Sequence, residues 1–431
     1  MFKNLPSGER YLYGLFSLIE NGSLTVTNPN GQVFEFGNSA APNPIKLNIR
    51  NPKTYDRVLS FGSLGFGEAY MEGWWDEENN DVVGLLELFH REKVYEKARE
   101  KPSLALIVKV LAQRLSTVPT NLKNSRKNVQ HHYDLGNDFY QYFLDSTWTY
   151  SCGYQQHPSD SLETMQLQKY ELICQKLGLK PGESLVDVGC GWGGMLIYAA
   201  EHYGITGTGI TLSIEQAKLA QQRIAEKGLG DRIKIEITDY RELTGKFDKF
   251  VSVGMFEHVG KGSFTTFMEK ARDFLKPDGI GLLHTIATES DERNGPWVEK
   301  YIFPGGYLPK LYELTTELSQ ANLMVAHCEN LKPHYAETLH RWTDNFLKNK
   351  DKISALSDVY DERFMRMWYL YLQSCEASFN TGSLQVYQLL FINGREWNLG
   401  RPTSFGTPLK AHRAASTNGT SPEKQPEPIG G

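Results

Sequence analysis

Apolar positions in the second half of the chain follow two alternating periods, one typical of buried strands and one typical of helices. The strand-like segments read SLVDV, GITGTGITLS, RIKIEITDY, KFDKFVSVGMFEHVG and IGLLHTIA. Between them stand the helical patterns MLIYAAEHY, SIEQAKLAQQRIAEKG and SFTTFMEKARDFL, and we expect the last to stop at the KPDG run, residues 276–279. NLMVAHCENL predicts a late strand, and LQVYQLLFI closes the domain. Strands that alternate with helices predict an α/β fold with a doubly wound, parallel sheet.

The first 90 residues have a different pattern and predict a small separate α+β domain. SLTVTNPNGQVFEFG shows strand alternation on both sides of an Asn-Gly turn. IKLNIR and the glycine-rich, aromatic segment YDRVLSFGSLGFGEAYMEGWW follow it. Two interpretations of the aromatic segment stay open: a buried aromatic edge of this domain, or an apolar groove that contacts lipid.

Residues 91–127 form a basic segment that we expect to act as a linker. Ten Lys or Arg stand there against three Glu, in a chain whose net charge is −5. Within the segment, LALIVKVLAQRL is amphipathic at helical spacing. A basic amphipathic helix is typical of contact with an anionic membrane surface, but a solvated linker helix packed on its neighbour has the same pattern.

Length and composition limit the class of protein further. The chain has 431 residues, 40% of them hydrophobic, which fits two or three globular domains. No apolar run reaches the ~18 residues that a membrane span needs, and we expect no signal peptide. The negative net charge argues against nucleic acid as a partner. Five cysteines without a C-x-x-C motif predict neither disulfides nor a metal site, and favour a reducing, cytoplasmic compartment.

The α/β region has predicted boundaries at residues 128 and 402. It opens on the aromatic stretch NVQHHYDLGNDFYQYFLDSTWTYSCGY, which precedes the first strand, where a cap over a ligand would lie. After the domain, residues 403–431 are rich in Pro, Gly, Ser, Thr and Lys, and we expect them to be disordered.

The chain is organised around the segment SLVDVGCGWGG, where a strand leads through a glycine turn into a helix. This layout is typical of a nucleotide-type cofactor site at the carboxyl end of a parallel strand. Gly189, Gly191 and Gly193 recur at two-residue spacing, and glycine lets the backbone approach a ligand closely. By itself the pattern also fits a tight strand–helix turn without a ligand.

The surrounding residues distinguish between possible cofactors. A dinucleotide site needs an acidic residue after the second strand, but here the next acid, Glu215, already lies in the following helix. The phosphate-binding pattern G-x-x-x-x-G-K-[ST] is missing. Asp187, directly before the turn, would attract the sulfonium and ammonium of S-adenosylmethionine and repel a pyrophosphate. S-adenosylmethionine is therefore the favoured cofactor.

Further segments resemble one family in order along the chain. They read HHYDLGNDFYQYFLD, TYSCGY, LVDVGCGWGG, GITLSIEQ, VSVGMFEHVGKGSF, LLHTI, YIFPGGYLP and SCEASF with LQVYQLLF, between residues 131 and 391. These segments resemble the cyclopropane-fatty-acid-phospholipid synthase family of methyltransferases, which includes the mycolic-acid cyclopropane synthases. GFGEAYMEGWW resembles the smaller, lipid-binding-type N-terminal domain of its full-length bacterial members. The resemblance implies a Rossmann-like methyltransferase sheet with S-adenosylmethionine as methyl donor.

The resemblance also implies a reaction. The family adds a methylene from S-adenosylmethionine across the cis double bond of a phospholipid acyl chain, through a carbocation that must lose a proton for the ring to close. Such a step needs a dry site and a nearby base, and aromatic faces can stabilise the cation. The implied base is a bound bicarbonate ion, held by Cys152, Glu257, His284, Tyr335 and Cys375. His284 and Tyr335 can donate hydrogen bonds to it, and an ionised Glu257 can accept its hydroxyl.

The predicted cofactor residues fall into groups along the motif. Gly189, Gly191 and Gly193, with Asp187, are expected at the methionine and ribose end. Tyr150 and Ser151 are expected to reach the amino-acid moiety from the cap. The residues expected at the ribose and the adenine are Thr211, Ser213, Gln216, Asp239 and Tyr240. The role of His258, beside Glu257, stays open.

Several alternatives remain at this point. A related enzyme would methylate the same alkene but give a methyl-branched or methylene product. A small-molecule N-methyltransferase and a lipid carrier without activity are the others. The expected partners are an unsaturated phospholipid and an anionic membrane surface, at the inner, cytoplasmic face of the membrane, and the two-domain resemblance implies a homodimer.

Overall fold

The computed structural model describes residues 2, 4–79, 81–100, 136–289 and 295–394. Most of the predicted basic linker, the HHYDL segment before the cap and the predicted tail at 403–431 lie outside these residues. The expectations for them stay predictions.

The N-terminal sheet has four short strands in the order β2-β1-β3-β4. They are β1 (Ser23–Thr27), β2 (Val33–Gly37), β3 (Ile45–Ile49) and β4 (Trp75–Glu77). β1 and β2 pair antiparallel around the Asn-Gly turn, where Gly31 has a φ of +77° that glycine adopts without strain. β3 pairs parallel with β1 and antiparallel with β4. The predicted strand pair is confirmed.

Helices pack on this sheet, and part of the aromatic segment lies in its core. They are α1 (Ser7–Phe16), α2 (Lys53–Phe61), α3 (Ser63–Met71), α4 (Val82–Arg91) and α5 (Val94–Glu100). Trp75 is fully buried, its ring stacks on Phe66, and its indole N–H donates to the Phe66 carbonyl. Trp74 is half-buried and lies beside Arg57. The structure favours the buried-edge interpretation for Trp75.

The larger sheet has seven strands in the order β10-β11-β9-β8-β5-β6-β7. They are β5 (Ser184–Val188), β6 (Thr206–Thr211), β7 (Ile233–Ile237), β8 (Phe247–Val253), β9 (Leu275–Thr288), β10 (Met324–Asn330) and β11 (Leu384–Ile392). Neighbouring strands from β5 to β9 are parallel, as predicted. β11 is antiparallel to both of its neighbours, which the sequence pattern did not predict. The order reverses between β5 and β8, and ligands of open α/β sheets bind at such a point.

Helices lie on both faces of this sheet. Successive residues of β5, Leu185 and Val186, belong to different apolar clusters, as expected for a doubly wound sheet. The helices are α6 (Asn137–Tyr140), α7 (Leu162–Leu177), α8 (Gly194–Tyr203), α9 (Ile214–Glu226), α10 (Phe264–Phe274), α11 (Pro296–Tyr301), α12 (Leu311–Gln320), α13 (Lys332–Lys348), α14 (Lys350–Ser354) and α15 (Glu362–Thr381).

One predicted boundary is wrong. Helix α10 ends at Phe274, and the KPDG run belongs to the long strand β9 rather than to a turn after the helix. The cause is pairing with residues that follow β11: Asp278 N–H donates to the Asn393 carbonyl, and Asn393 N–H donates to the Gly279 carbonyl. These partners are distant in sequence, so local turn residues gave a misleading signal.

An aromatic layer covers the carboxyl ends of the strands. It is built mainly from α6, α13 and α15, with Trp342 and Trp368 fully buried. Phe139 lies edge-on to Trp368 at 4.8 Å between centroids and stacks on Tyr360. The same apolar cluster continues into the core of the N-terminal sheet. A dry region therefore extends from the cap to the N-terminal part.

Glu68 in α3 connects the N-terminal part to α11. Its buried carboxylate accepts hydrogen bonds from Lys300 at 2.6 Å, Tyr301 at 2.9 Å and Arg57 at 3.0 Å. Next to it, Trp297 donates to the sulfur of Met71. Of the helices that the structure describes, none has both the length and the apolar character needed to cross a membrane.

Candidate cofactor and active site

The glycine turn after β5 has a backbone that glycine adopts easily and other residues rarely do. Gly189, Gly191 and Gly193 have φ values of +88°, +54° and +78°. A Cβ on Gly189 would stand 2.6 Å from the Cβ of Met255, in the segment after β8. The turn therefore needs glycine for its conformation and, at Gly189, also for close packing.

A cleft opens at the carboxyl ends of β5, β6, β7 and β8, where the strand order reverses. Most of the predicted cofactor residues line it. They are Tyr150, Ser151, Asp187, Gly189, Gly191, Thr211, Gln216, Asp239 and Tyr240. The wall also contains residues that the sequence reasoning did not assign, among them Trp148, Lys169, Trp192, Arg241, Met255 and His258.

Gly193 and Ser213 lie outside this wall, and we correct their predicted contacts accordingly. Gly193 is the N-cap of α8. Ser213 is the N-cap of α9, and its hydroxyl accepts the N–H of Gln216 at 3.3 Å. Serine is a preferred N-cap residue because its oxygen satisfies a helix N–H, and this role uses the hydroxyl that we expected at the ribose. Both residues shape helix starts beside the cleft.

Asp187 is a buried acid with an unsatisfied oxygen. It is 2% exposed, and its Oδ1 has no hydrogen-bond partner in the part of the chain that the structure describes. Burial raises the pKa of its carboxyl to about 7, although the Lys169 ammonium acts in the opposite direction. A buried oxygen without a donor costs free energy, so a cationic ligand group fits here. The residues present fit S-adenosylmethionine.

Lys169 is a residue that the sequence reasoning missed. It lies in α7, is 1% exposed, and donates to the Ser151 hydroxyl at 2.8 Å. Burial lowers the pKa of its ammonium to about 7. The available signal was its position four residues from the buried Met165 and Ile173, because a lysine on the apolar face of a helix needs a partner.

The residues expected at the ribose and adenine are already bonded to neighbours. The Thr211 hydroxyl donates to the Gln216 amide oxygen at 2.9 Å, so the amide NH₂ is the group that Gln216 can offer a ligand. The Asp239 carboxylate accepts from Arg241 at 2.7 and 2.8 Å. Tyr240 lies edge-on to Phe267. Asp239 can therefore contact a ligand only with oxygens that also bind Arg241.

Glu257 lies just past β8, as predicted, in a short 3₁₀ turn, Phe256–His258. Its Oε1 accepts the backbone N–H of Ile286 in β9 at 2.6 Å. Its Oε2 is buried and has no hydrogen-bond partner among the described residues. Burial raises the pKa of the carboxyl to about 7, against the opposing effect of the Ile286 N–H. The second oxygen can accept a hydrogen from a ligand.

His284 stands two residues before Ile286 in β9, so the same strand supports both His284 and Glu257. Its carbonyl accepts the N–H of Gly254, a residue of the cleft wall, at 2.9 Å. Its Nδ1 lies 3.1 Å from the amide nitrogen of Gln388. Burial holds the pKa of the imidazole well below its usual range, so the ring is neutral at physiological pH.

The other residues expected to hold the anion form a second group. The thiol of Cys152 reaches the Leu331 carbonyl at 3.8 Å, and the N–H of Tyr335 donates to the same carbonyl. Tyr335 and Cys375 both act electrostatically on Tyr371, whose hydroxyl lies 2.8 Å from that of Tyr150 in the cleft wall. Leu331 N–H bonds to Val386, the β11 partner of Ile286, which connects this group to β9.

A seven-stranded sheet of this order, with an acid and a glycine turn at its switch point, defines an S-adenosylmethionine-dependent methyltransferase. Within that class, the chain belongs to the mycolic acid cyclopropane synthetase family, whose family model matches residues 120–389.

Similar proteins extend this finding over more of the chain. Cyclopropane-fatty-acyl-phospholipid synthase of Escherichia coli (strain K12) is 38% identical, over 82% of this chain and 89% of its own length. A probable fatty acid methyltransferase of Pseudomonas putida is 40% identical, over 84% and 90%. Among solved structures, mycolic acid cyclopropane synthase CmaA1, complexed with SAH and CTAB, has a TM-score of 0.57 at 36% identity and covers 62% of this chain and 98% of its own.

Proposed function

We propose that the protein transfers a methylene group from S-adenosylmethionine to the cis double bond of an unsaturated phospholipid acyl chain and so forms a cyclopropane ring. The observation that carries this proposal is the buried carboxylate of Glu257, with one oxygen held by Ile286 and the other unsatisfied in the described residues. A methyl group added to an alkene closes a ring only after losing a proton, so the site needs a positioned base. The name of the Escherichia coli relative supports a phospholipid substrate.

The amino-acid end of the methyl donor binds near Lys169 and Asp187 in this proposal. Asp187 attracts the ammonium and the sulfonium, and the ammonium of Lys169, with the Ser151 hydroxyl, binds the carboxylate. Gly189 and Gly191 let the backbone approach the ligand. The methyl donor supplies an electrophilic methyl group when bound.

A bicarbonate ion would supply the base for the proton of the new methyl group. Glu257 would accept the hydroxyl of the ion, and His284 and Tyr335 would donate to its oxygens. Cys152 and Cys375 would complete the site as neutral thiols. Burial raises the pKa of both thiols, that of Cys375 to about 12, so neither becomes a thiolate that would compete for the methyl group.

The aromatic layer supports a cationic transition state. Its rings can stabilise positive charge on the acyl chain without forming a bond to it. Because the layer is continuous with the apolar core of the N-terminal part, it also excludes water that would trap the cation. The methyl group can then lose its proton only to a base held in the site.

A second candidate function is a fatty-acid C-methyltransferase that gives a methyl-branched or methylene product. The name of the Pseudomonas putida relative favours it. A small-molecule N-methyltransferase fits less well, because its substrate would not require the N-terminal part or the basic segment. Cyclopropane formation and branching share the methyl transfer and differ in which carbon loses the proton.

Product identification separates these functions. The protein is incubated with methyl-labelled S-adenosylmethionine and phospholipids of defined double-bond position, and the acyl chains are examined by mass spectrometry and NMR. We expect chains heavier by one CH₂, resistant to mild hydrogenation as alkenes, with upfield ring protons. A methyl doublet or an exomethylene signal instead of ring protons would replace the first function with the second.

We also propose that the protein works as a homodimer, associated peripherally with the inner face of the membrane. The excess of basic residues at 91–127 supports attraction to anionic lipids. Flotation with anionic and with zwitterionic vesicles tests the attachment, and sedimentation equilibrium tests the dimer. Equal recovery with both kinds of vesicle would argue against an electrostatic membrane contact.

A further inference from the structure

A row of polar side chains crosses three adjacent strands of the larger sheet. His284 in β9 is the direct partner of Gln388 in β11, and Gln388 is the direct partner of Glu329 in β10. Directly opposite residues of antiparallel strands project from the same face, so these side chains form one line. Lys176 from α7 lies against the row: its ammonium donates to the Gln388 amide oxygen at 2.7 Å and forms an ion pair with Glu329.

The chemistry of the row determines which atom faces which. A lysine ammonium can only donate hydrogen bonds, so the Gln388 atom that faces it must be the amide oxygen. The NH₂ of Gln388 then faces His284 and donates to Nδ1 at 3.1 Å. An Nδ1 that accepts a hydrogen bond carries no hydrogen. Because the ring is neutral, its one hydrogen lies on Nε2.

We propose that Lys176, Glu329 and Gln388 are positioning residues that hold His284 as the Nε2–H tautomer, so that Nε2 can donate to the anion in the active site. The inference rests on the proposed function, in which His284 supplies such a hydrogen bond. The wrong tautomer would turn an acceptor nitrogen toward the anion and repel it. None of the three touches the reacting atoms, and all act through His284.

Burial makes the row an effective device. Lys176 and Gln388 have no exposed surface and His284 is 2% exposed, so bulk water cannot exchange with these contacts. Glu329, whose side chain is 29% exposed, ends the row near the surface and keeps Lys176 charged. Burying a lysine costs free energy, and apolar residues would pack this sheet at lower cost. The expense is accounted for if the row sets the hydrogen position on His284.

NMR of histidine-labelled protein tests the inference directly, because ring nitrogen and carbon shifts distinguish the tautomers. The His284 signals are assigned by comparison with His284→Asn. We expect Nε2–H in the wild type and Nδ1–H in Gln388→Glu, because a carboxylate at that position accepts a hydrogen from Nδ1. Gln385→Glu, on the same strand, is the matched control: the Gln385 amide bonds to Asn330 and to the Gly382 carbonyl, away from His284.

Kinetics of the same variants separate positioning from binding. We expect Gln388→Glu to lower kcat by roughly 10²-fold or more, the order seen when one donor to a reacting anion is lost. Its dissociation constant for S-adenosylmethionine should change less than about twofold, because the row lies outside the cleft wall. Lys176→Met should give mixed tautomers and an intermediate loss. Lys249→Met is its control, a buried lysine that bonds the Leu177 carbonyl instead.

The outcomes distinguish this inference from the proposed function. Nδ1–H or a protonated ring at His284 in the wild type overturns the inference even if every variant unfolds. A reversed tautomer in folded Gln388→Glu with undiminished kcat also overturns it. A wild-type protein with Nε2–H that makes no cyclopropane product supports the row and overturns the proposed function.

Discussion

The ammonium of Lys169 lies 2.8 Å from the hydroxyl of Ser151, inside the wall of the cofactor cleft. Asp187, in the same wall, is among the negative groups that favour the charged form of this lysine. A buried cation and a buried anion thus stand at one end of the cleft, each with a pKa near 7. An amino-acid zwitterion complements such a pair, because it supplies one charge to each.

Lys169→Met should lower the affinity for S-adenosylmethionine by roughly 10- to 100-fold, the value of one hydrogen bond between charged groups. Calorimetry with S-adenosylmethionine and with its decarboxylated analogue gives the test. Wild-type protein should prefer the carboxylated ligand, and the variant should bind both about equally. Lys249→Met controls for the loss of a buried lysine. An equal loss of affinity for both ligands would mean that Lys169 does not bind the carboxylate.

Asp187→Asn should make the protein more stable and its cofactor binding weaker. Because burial raises the pKa of this carboxyl to about 7, its contribution to stability is complete below the unfolded pKa and is lost as pH rises through 7. Replacing it with a neutral amide removes that loss. Urea unfolding should show a gain on the order of 1 kcal/mol at pH 8 and a smaller one at pH 5. A gain that does not depend on pH would contradict the assignment.

Glu257→Gln should lower kcat by roughly 10²- to 10³-fold while the dissociation constant for S-adenosylmethionine stays unchanged. The variant removes the acceptor for the base but leaves the glycine turn intact. Methyl incorporation and calorimetry measure the two quantities. Glu313→Gln, at a similarly buried glutamate that bonds Tyr307 and the Lys310 N–H, is the control. Added bicarbonate should stimulate the wild type in carbonate-depleted buffer, and near wild-type turnover of Glu257→Gln would show that the base is held elsewhere.

The pH dependence of turnover should report Glu257. Its carboxyl is protonated below about pH 7 and becomes an acceptor above it, so kcat should rise with pH through this value. Saturating S-adenosylmethionine keeps Asp187 paired and removes its titration from the profile. In Glu257→Gln the rise should disappear from the residual rate. The same rise in the variant would assign it to another group.

Gly189→Ala should weaken cofactor binding more than the backbone strain alone would explain. Gly178→Ala is the matched control, since Gly178 also has a positive φ, of +59°, but a Cβ there would meet no atom within 4 Å. Both variants should lose about 1 kcal/mol of stability from the left-handed backbone. Only Gly189→Ala should also lose affinity, because its Cβ clashes with Met255. Equal affinities in the two variants would show that the clash is relieved without cost.

The sequence was most informative where a property is local. β5 to β9 follow from periods of a few residues, and the glycine turn follows from backbone chemistry within one segment. The direction of β11 and the extension of β9 through 276–279 depend on strands far apart in sequence, so no local pattern reports them. Ser213 shows another limit, because a serine before a helix can cap it or bind a ligand, and only the structure decides.

Side-chain partnership was the least predictable part of the site. Cys152, Glu257, His284, Tyr335 and Cys375 came from the family resemblance and not from spacing. Lys169 and Gln388 belong to no motif that carries chemistry, and their significance arises from neighbours in space. A lysine on a buried helix face was the signal for the first. Nothing in the sequence marks the second, since a glutamine in an apolar strand acquires meaning only from its cross-strand partner.

The carboxylate of Glu68 makes the two ends of the chain interdependent. The matched family region begins at residue 120, yet α11 within it bonds through Lys300 and Tyr301 to a glutamate that lies before it. A chimera that joined this catalytic region to a foreign N-terminal part would inherit a lysine without its acid and Trp297 without its methionine. The α3 and α11 surfaces can therefore be exchanged between relatives only as a matched set.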